Sequence, residues 1–413
     1  MTLQSLPTRL ESGVWPPSAR WMSADLRVGD VGLAEVAETY GTPLYVLDEA
    51  AVRDRCRAYL AAFGAGNVAY TGKALLTAGV ANWIAAEGLG LYAGSAGEIR
   101  VALAGGTNPA RIVLYGSAKT PEDLNTAYGA RVGTIVAESM SDITRLAATA
   151  PRGQRVLLRV GGDGTAGLAA GTGELAAAVS RLAGQPGLRF AGLDCSIGHD
   201  IGHFRRYEQE IRRLADLCGR LRGVAVEQLN LGGGHSDHDF ALDAFADRMR
   251  TTLRCAFAQH DVPIPRLTVS PGRAVVGRAG VTLYRVLTVT TSPDGHLTVT
   301  TDGGLTDCPA VECADRHRAM LIARRSVAPV VPATVLGRHN DPADVVVPAA
   351  DLPADVHPGD LLAISATGAY HHARASNYHL VPRPPLLAVA GGRARLLIRR
   401  ETQHDLLSRD CGR

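Results

Sequence analysis

Lysine is almost absent from this chain. Of its 43 basic side chains only Lys73 and Lys119 are lysines, which leaves 41 arginines. Because arginine serves for surface charge, a retained lysine is a candidate for chemistry that guanidinium cannot perform, since an amine can deprotonate and condense with a carbonyl. The alternative is a lysine whose stem packs on apolar neighbours. The spacing around Lys73 leaves both interpretations open.

Other absences exclude whole classes of function. Aromatic residues make up only 5% of the chain, and the net charge of +3 is spread without a run of one sign, so nucleic acid is not an expected partner. No apolar run approaches the roughly 18 residues of a spanning helix. The first twenty residues lack the layout of a secretion signal. We therefore expect no membrane partner and a cytoplasmic location.

Cysteine and histidine patterns indicate neither a disulfide framework nor a metal site. The seven cysteines are an odd number without a CxxC pair, which favours reduced thiols. The closely spaced histidines are His199 and His203, His235 and His238, and His371 and His372. No Cys or Glu stands at ligand spacing from them, so we interpret them as loop histidines and expect no metal.

The middle of the chain alternates strand-like and helical patterns. Residues 1–42 read as an N-terminal segment that joins a β domain, and residues 43–280 as the alternating region. After a first strand at 42–47, strand-like runs recur at 67–70, 90–92, 111–115, 132–137, 155–160, 190–195, 226–231 and 266–269. Continuous apolar runs separated by amphipathic helices are typical of parallel strands buried on both faces. Their number and spacing predict a (β/α)8 TIM barrel. An open doubly wound sheet is the alternative, but no GxGxxG opens the first unit.

The pattern changes after residue 280. Residues 281–413 contain β-branched runs in alternation, with Gly, Pro and Asp at the turns between them. This predicts a C-terminal antiparallel β domain, either a barrel or a sandwich.

Polar residues and glycines gather where the barrel strands end, which is where such barrels hold their active sites. Lys73 follows the run 67–70, Arg159 lies in the run 155–160, and Ser196 follows Cys195. Gly232–Gly234 follow the next strand, and Ser270-Pro-Gly-Arg273 follows the last one. Three glycines let backbone N–H groups close on a phosphate, and an arginine adds a bidentate partner. Together with a lysine, these features suggest pyridoxal 5′-phosphate (PLP).

The sequence resembles a known family, the fold-type III PLP-dependent decarboxylases with an alanine-racemase-like barrel. Within that family it is most similar to the diaminopimelate decarboxylases. The resemblance runs from about Val31 to Ala390. The matching segments are 40–46, 69–74, 94–98, 230–234, 271–277, 366–370, 376–378 and 382–384. Found together and in this order, these segments are highly specific for the family.

The resemblance implies roles for the matched positions. Lys73 would carry the cofactor covalently, while Gly232–Gly234, Gly272 and Arg273 would hold its phosphate or the substrate carboxylate. Tyr370 would reach the phosphate from the second domain across a homodimer interface that shares the active sites. Arg318 falls where the family binds the far end of its substrate.

Several positions depart from the family. Ser270 replaces the glutamate that faces the pyridine nitrogen, and Ser196 replaces the histidine that stacks on the ring, for which we expect His199 to compensate. Tyr92 replaces an acidic residue, and Ile322 replaces a tyrosine of the distal pocket. Asn340 replaces the cysteine that returns a proton, and asparagine has no proton to give at neutral pH.

Two neighbours of Asn340 are candidates for the altered site. His339 is the expected proton donor in place of the missing cysteine, and Asp341 is a candidate partner for a substrate ammonium.

Three functions stay open on the sequence. The leading hypothesis is a PLP-dependent decarboxylase of an amino acid, free or attached to a carrier, in a biosynthetic pathway outside lysine synthesis. The second is an amino-acid racemase or epimerase, because a weaker electron sink suits proton transfer at Cα. The third is a PLP-binding homologue with impaired catalysis.

Overall fold

The computed structural model describes residues 10–11, 13–161, 167–169, 173–198, 204–221, 223–236, 241–309, 316–324 and 326–412. The chain forms two compact units. One is Arg53–Ala274, and the other combines Met1–Val52 with Val275–Arg413.

A parallel barrel forms the unit Arg53–Ala274. Its strands are β1 (Ala69–Thr71), β2 (Gly90–Ala93), β3 (Ile112–Leu114), β4 (Thr134–Ala137), β5 (Gln154–Gly161), β6 (Leu188–Cys195), β7 (Gln228–Asn230) and β8 (Arg266–Thr268). Each strand pairs in parallel with the next. The ring is closed by Val269, whose N–H donates to Asn67 O at 2.9 Å and whose carbonyl accepts from Ala69 N at 3.1 Å. The predicted (β/α)8 barrel is therefore confirmed.

Helices alternate with these parallel strands, so the carboxyl ends of all eight strands lie at one rim of the barrel. They span Ala78–Ala86, Ala96–Ala104, Pro121–Ala130, Met140–Thr149, Glu174–Ala183, Phe204–Arg220 and Leu242–Ala258, and Glu49–Phe63 precedes β1. The first four begin at Thr77, Ser95, Thr120 and Ser139, whose hydroxyl oxygens accept a backbone N–H of the first turn. Such caps fix where each helix begins. Within the described residues, no helix has both the length and the apolar character needed to cross a bilayer.

The second unit contains a mixed sheet. Its strands run in the order Val345–Pro353, Val330–Leu336, Leu297–Thr301, Gly280–Thr291, Leu44–Asp48, Leu386–Ala390 and Arg393–Ile398, and Leu361–Ser365 pairs with both Gly280–Thr291 and Ala319–Ile322. Arg20–Met22, Asp25–Val28 and Val31–Gly32 form a small antiparallel sheet, followed by the helix Leu33–Tyr40. A short helix, Gln403–Leu407, lies near the end. Most pairings are antiparallel as expected, but Leu297–Thr301 with Val330–Leu336, and Leu386–Ala390 with Leu44–Asp48, are parallel.

The strand Leu44–Asp48 corrects the expected start of the barrel at residue 43. It pairs with Gly280–Thr291 and Leu386–Ala390 of the mixed sheet. All five of its residues are buried. A continuous apolar run followed by an amphipathic helix describes a central strand of either sheet, so the local pattern does not identify the partner strands.

Candidate active site

Lys73 lies in a 3₁₀ turn, Gly72–Ala74, directly after β1. The turn is held on one side by the Tyr70 hydroxyl, which donates to Leu75 O at 2.7 Å. On the other side Thr71 donates its hydroxyl to Ser270 O at 2.7 Å and its N–H to Pro271 O at 2.9 Å. The end of β1 is thereby tied to the loop after β8. No residue in the described part of the chain bonds to the Lys73 ammonium, and its side chain is exposed.

The pKa of Lys73 is lowered from its ordinary value. Although part of the side chain is exposed, surrounding protein removes water from the amine, and the nearby Arg159 guanidinium adds repulsion. Glu98 opposes both effects. The pKa of Glu98 is itself raised by burial, although its carboxylate accepts the Gly94 N–H at 2.7 Å. A lowered lysine pKa enlarges the neutral, nucleophilic fraction of the amine.

The glycine loop, Gly232–Gly234, follows β7 and packs against the ends of the neighbouring strands β6 and β8. Gly232 has a φ of 72°, and a Cβ there would lie 2.8 Å from Cys195 O. A Cβ at Gly233 would lie 2.5 Å from Ser270 O. Since real Cβ atoms do not approach a backbone oxygen so closely, only glycine fits at these positions.

Gly272 completes the chain of contacts to the lysine turn. A Cβ at this position would lie 3.1 Å from Ala74 Cβ and 3.2 Å from Thr71 O. The structure therefore brings together Lys73, Gly232–Gly234 and Ser270–Arg273, as the sequence predicts for strand ends of one barrel. The lysine turn and the glycine loop both contact the Ser270–Arg273 loop at one rim of the barrel, and an amine and a backbone cradle so placed fit PLP at its aldehyde and phosphate ends.

Arg159 lies between two carboxylates. Its Nε donates to Asp194 Oδ2 at 2.7 Å and its Nη1 to Glu138 Oε1 at 2.6 Å. Burial opposes the charge, but the two carboxylates outweigh it, so the pKa of Arg159 is raised. The guanidinium carbon also lies 5.6 Å from the centre of the Tyr115 ring. Arg159 is thus rigidly placed near Lys73 as a fixed positive charge.

Asp194 joins this ion pair to a buried hydrogen-bond network. Asn230 Nδ2 donates to Asp194 Oδ1 at 2.6 Å and to the Tyr92 hydroxyl at 2.8 Å. The Tyr92 hydroxyl donates to Asp194 Oδ1 at 3.2 Å. Burial and Asp194 raise the pKa of Tyr92 well above its ordinary value, so the phenol keeps its proton.

Sequence reasoning missed Asp194, Glu138 and Glu98 as parts of this site. A usable signal was present for Asp194. It pairs across the sheet with Arg159 on one side and Asn230 on the other, so three polar residues align near the carboxyl ends of neighbouring strands. Finding that alignment requires the strand register, which the sequence alone does not supply.

The two serine replacements differ in their surroundings. Ser270 is buried, with its N–H donating to Gly232 O at 2.8 Å. Ser196 is exposed and directly follows β6. His199, which we expected to compensate for Ser196, lies outside the described residues.

The remaining candidates belong to the second unit. The guanidinium of Arg318 forms an ion pair with Glu11, with Nε to Oε2 at 2.7 Å. Asp341 accepts the Ala343 N–H at 2.8 Å, and Tyr370 has a left-handed backbone with a φ of 68°.

His339 is the predicted proton donor. Its Nε2 lies 3.0 Å from the Thr306 hydroxyl, and its backbone N–H donates to Asp344 Oδ2 at 2.6 Å. The pKa of His339 is lowered, chiefly by burial, so the ring is neutral at neutral pH. Its role stays a prediction.

Comparison with known proteins agrees with the fold and with PLP as the cofactor. Residues 49–277 match a family profile described as the pyridoxal binding domain of pyridoxal-dependent decarboxylases. The chain is 42% identical to a diaminopimelate decarboxylase of Actinosynnema pretiosum subsp. auranticum, with 97% of this chain and 96% of that protein covered. A Mycobacterium tuberculosis diaminopimelate decarboxylase is 37% identical, with 97% and 98% covered.

A solved structure has the same fold. The crystal structure of diaminopimelate decarboxylase from M. jannaschi superposes with a TM-score of 0.89 at 24% identity, covering 96% of this chain and 98% of that one. At this identity the likeness shows the fold.

Proposed function

The chain belongs to the pyridoxal-dependent decarboxylase family, and from that premise we propose that it removes the α-carboxylate of an amino acid other than diaminopimelate, either free or attached to a carrier. It is a PLP-dependent carboxy-lyase. The altered positions support a changed substrate. Asn340 and Ser270 lack the acidic groups that the family uses, and Arg318 is already paired with Glu11.

One observation carries the PLP-dependent part of the proposal. Lys73, with a lowered pKa, lies in a turn that is hydrogen-bonded to the Ser270–Arg273 loop and in van der Waals reach of Gly272. In this arrangement Lys73 would hold the cofactor, while Gly232–Gly234 and Arg273 would hold its phosphate. When bound, PLP supplies an electron-accepting ring that stabilises the charge left at Cα once CO2 departs.

Ser270 changes the group that faces the ring nitrogen of PLP. A carboxylate at this position would keep the ring nitrogen protonated, whereas a serine hydroxyl is neutral and gives no such charge. Asp194 does not replace it, since its oxygens accept hydrogen bonds from Arg159, Asn230 and Tyr92. We therefore expect slower decarboxylation than in a homologue with the glutamate, and a Ser270→Glu variant tests this.

The cofactor attachment is tested with borohydride. Purified protein incubated with PLP and reduced should carry the added mass on the peptide that contains Lys73, and Lys73→Ala should carry none. Lys119→Arg is the matched control, because Lys119 is buried 3.6 Å from Asp142 on another turn and should leave the label unchanged. A label on Lys119, or none in the wild type, contradicts the attachment.

The reaction is tested by following CO2 and deuterium together. With a broad panel of amino acids, diaminopimelate included, the proposal expects CO2 release that depends on Lys73. Diaminopimelate as the best substrate would overturn the substrate assignment. Deuterium entering Cα without CO2 would identify a racemase, and no reaction with any panel member would identify an impaired homologue.

We also propose a homodimer, as the family resemblance implies. Light scattering should give a mass near twice the 43.4 kDa of one chain. If the active sites are shared, mixing Lys73→Ala and Tyr370→Phe subunits should restore part of the activity that each variant lacks.

The cytoplasmic location and the roles of Arg318, Asp341 and His339 stay predictions.

A further inference from the structure

Three metal-binding side chains meet in the interior of the second unit. Cys308, His317 and His371 are all buried, and one ligand atom of each lies within 4.8 Å of the other two. The two imidazole rings are inclined at 71° to each other, with 3.2 Å between their Nε2 atoms. The three residues come from separate segments of the chain.

The hydrogen bonds of the two rings fix their protons. His317 Nδ1 lies 2.9 Å from Ser365 O, and His371 Nδ1 lies 2.9 Å from Ala369 O. A backbone carbonyl only accepts, so each Nδ1 is the donor, and the Nε2 of a neutral ring keeps its lone pair for an ion. Such a second hydrogen bond from Nδ1–H to a carbonyl is the usual way in which proteins orient a metal-bound histidine.

The spacing suits a tetrahedral ion. Zinc–nitrogen bonds of 2.0–2.1 Å place two nitrogen ligands about 3.3 Å apart in a tetrahedral site, close to the observed 3.2 Å. A thiolate and two imidazoles are a set that zinc prefers.

We propose that Cys308, His317 and His371 bind a zinc ion. The Cys308 thiol gives its proton to solvent on binding, since the thiolate is the ligand. This revises the sequence-based expectation of no metal. That expectation considered only closely spaced histidines, whereas His317 and His371 are 54 residues apart.

The ion would fix two segments that carry predicted site residues. His317 directly precedes Arg318, and His371 directly follows Tyr370. Tyr370 has the left-handed φ that non-glycine residues rarely adopt, and a ligand bond at the next residue holds that backbone in place. The zinc would therefore position both side chains without touching substrate.

The experiment measures zinc in the full-length protein. Wild type without a histidine tag is given one equivalent of Zn²⁺, desalted and analysed by mass spectrometry, and about one ion per chain is expected. X-ray absorption should then show one sulfur at about 2.3 Å and two nitrogens at about 2.0–2.1 Å. Wild type that retains almost no zinc, or zinc without a sulfur ligand, overturns the proposal whatever the variants do.

Matched variants locate the site. Cys308→Ser and His371→Asn should bind zinc at least about tenfold more weakly. Cys411→Ser, at an exposed cysteine, and His372→Gln, at the adjacent histidine outside the cluster, should bind it as wild type does. Full zinc binding by Cys308→Ser would also overturn the assignment.

Discussion

Lys73 shows how neighbouring charges set the reactivity of one amine. Desolvation lowers its pKa most, Arg159 lowers it further and Glu98 raises it. Removing the negative charge with Glu98→Gln should therefore lower the Lys73 pKa further. The measurement is the pH dependence of Lys73 acylation in the cofactor-free protein, followed by mass spectrometry. Glu122→Gln, at an exposed pair with Arg100, should leave the profile in place, and an upward shift in Glu98→Gln would contradict the account.

Arg159 is expected to matter for stability as well as for the site. Arg159→Met would leave Asp194 and Glu138 as buried carboxylates without their cation. Breaking a buried ion pair by removing one partner costs about 3–5 kcal/mol. Urea unfolding should show a loss of that order. The control is Arg189→Ala, whose exposed pair with Glu227 should contribute less than about 1 kcal/mol.

His235 predicts a pH dependence of stability. It is buried against Tyr59, Phe63 and Phe245, and burial lowers its pKa from 6.5 to about 3. The folded state thus binds the proton less well than the unfolded state. The contribution of His235 is complete above pH 6.5 and is lost as the pH falls toward 3.

The loss should approach roughly 1.4 kcal/mol per pH unit below 6.5. Urea unfolding of wild type and His235→Gln at several pH values measures it. The variant keeps an acceptor for the Tyr59 hydroxyl but has no group that titrates here, so its stability should fall less steeply with acid. If the stability of both proteins fell equally steeply with pH, groups other than His235 would account for the acid sensitivity.

At the scale of elements, the loop after β7 depends on the close approach of two backbones. In Gly233→Ala the new Cβ would lie 2.5 Å from Ser270 O, so one of the loops must move. We expect a loss of about 1–3 kcal/mol in stability and weaker PLP binding, measured by urea unfolding and by fluorescence titration. Gly129→Ala, in a helix with open space around its Cβ, should be neutral or stabilising.

The elements also show where local patterns suffice. Every barrel strand from β1 to β8 falls on a run that the sequence identified, because strands buried on both faces must be continuously apolar. The polar network of Arg159, Asp194 and Asn230 was not identified as a unit. Its members are distant in sequence and meet only through the pairing register of β5, β6 and β7.

For the whole molecule, the division into two units predicts which segments unfold together. Leu44–Asp48 hydrogen-bonds with strands of the mixed sheet, so its amides should exchange with those of Gly280–Thr291 and not with those of the barrel. Leu283→Ala, in the core of the second unit, should speed exchange in both strands. Hydrogen exchange with mass spectrometry tests this, and exchange of 44–48 in step with β1 would contradict it.

The sequence by itself determined the barrel fold, and it predicted that Lys73 and the Gly232–Gly234 loop lie at the ends of barrel strands. These depend on local features, namely apolar runs, helix periodicity and residue types that tolerate a tight turn. Tertiary structure alone decided that Leu44–Asp48 belongs to the mixed sheet, that Asp194 and Glu138 hold Arg159, and that Cys308, His317 and His371 meet. The physical reason is that burial and charge pairing depend on which segments become neighbours. A local apolar run does not specify its neighbours when it would be equally well buried in either of two sheets.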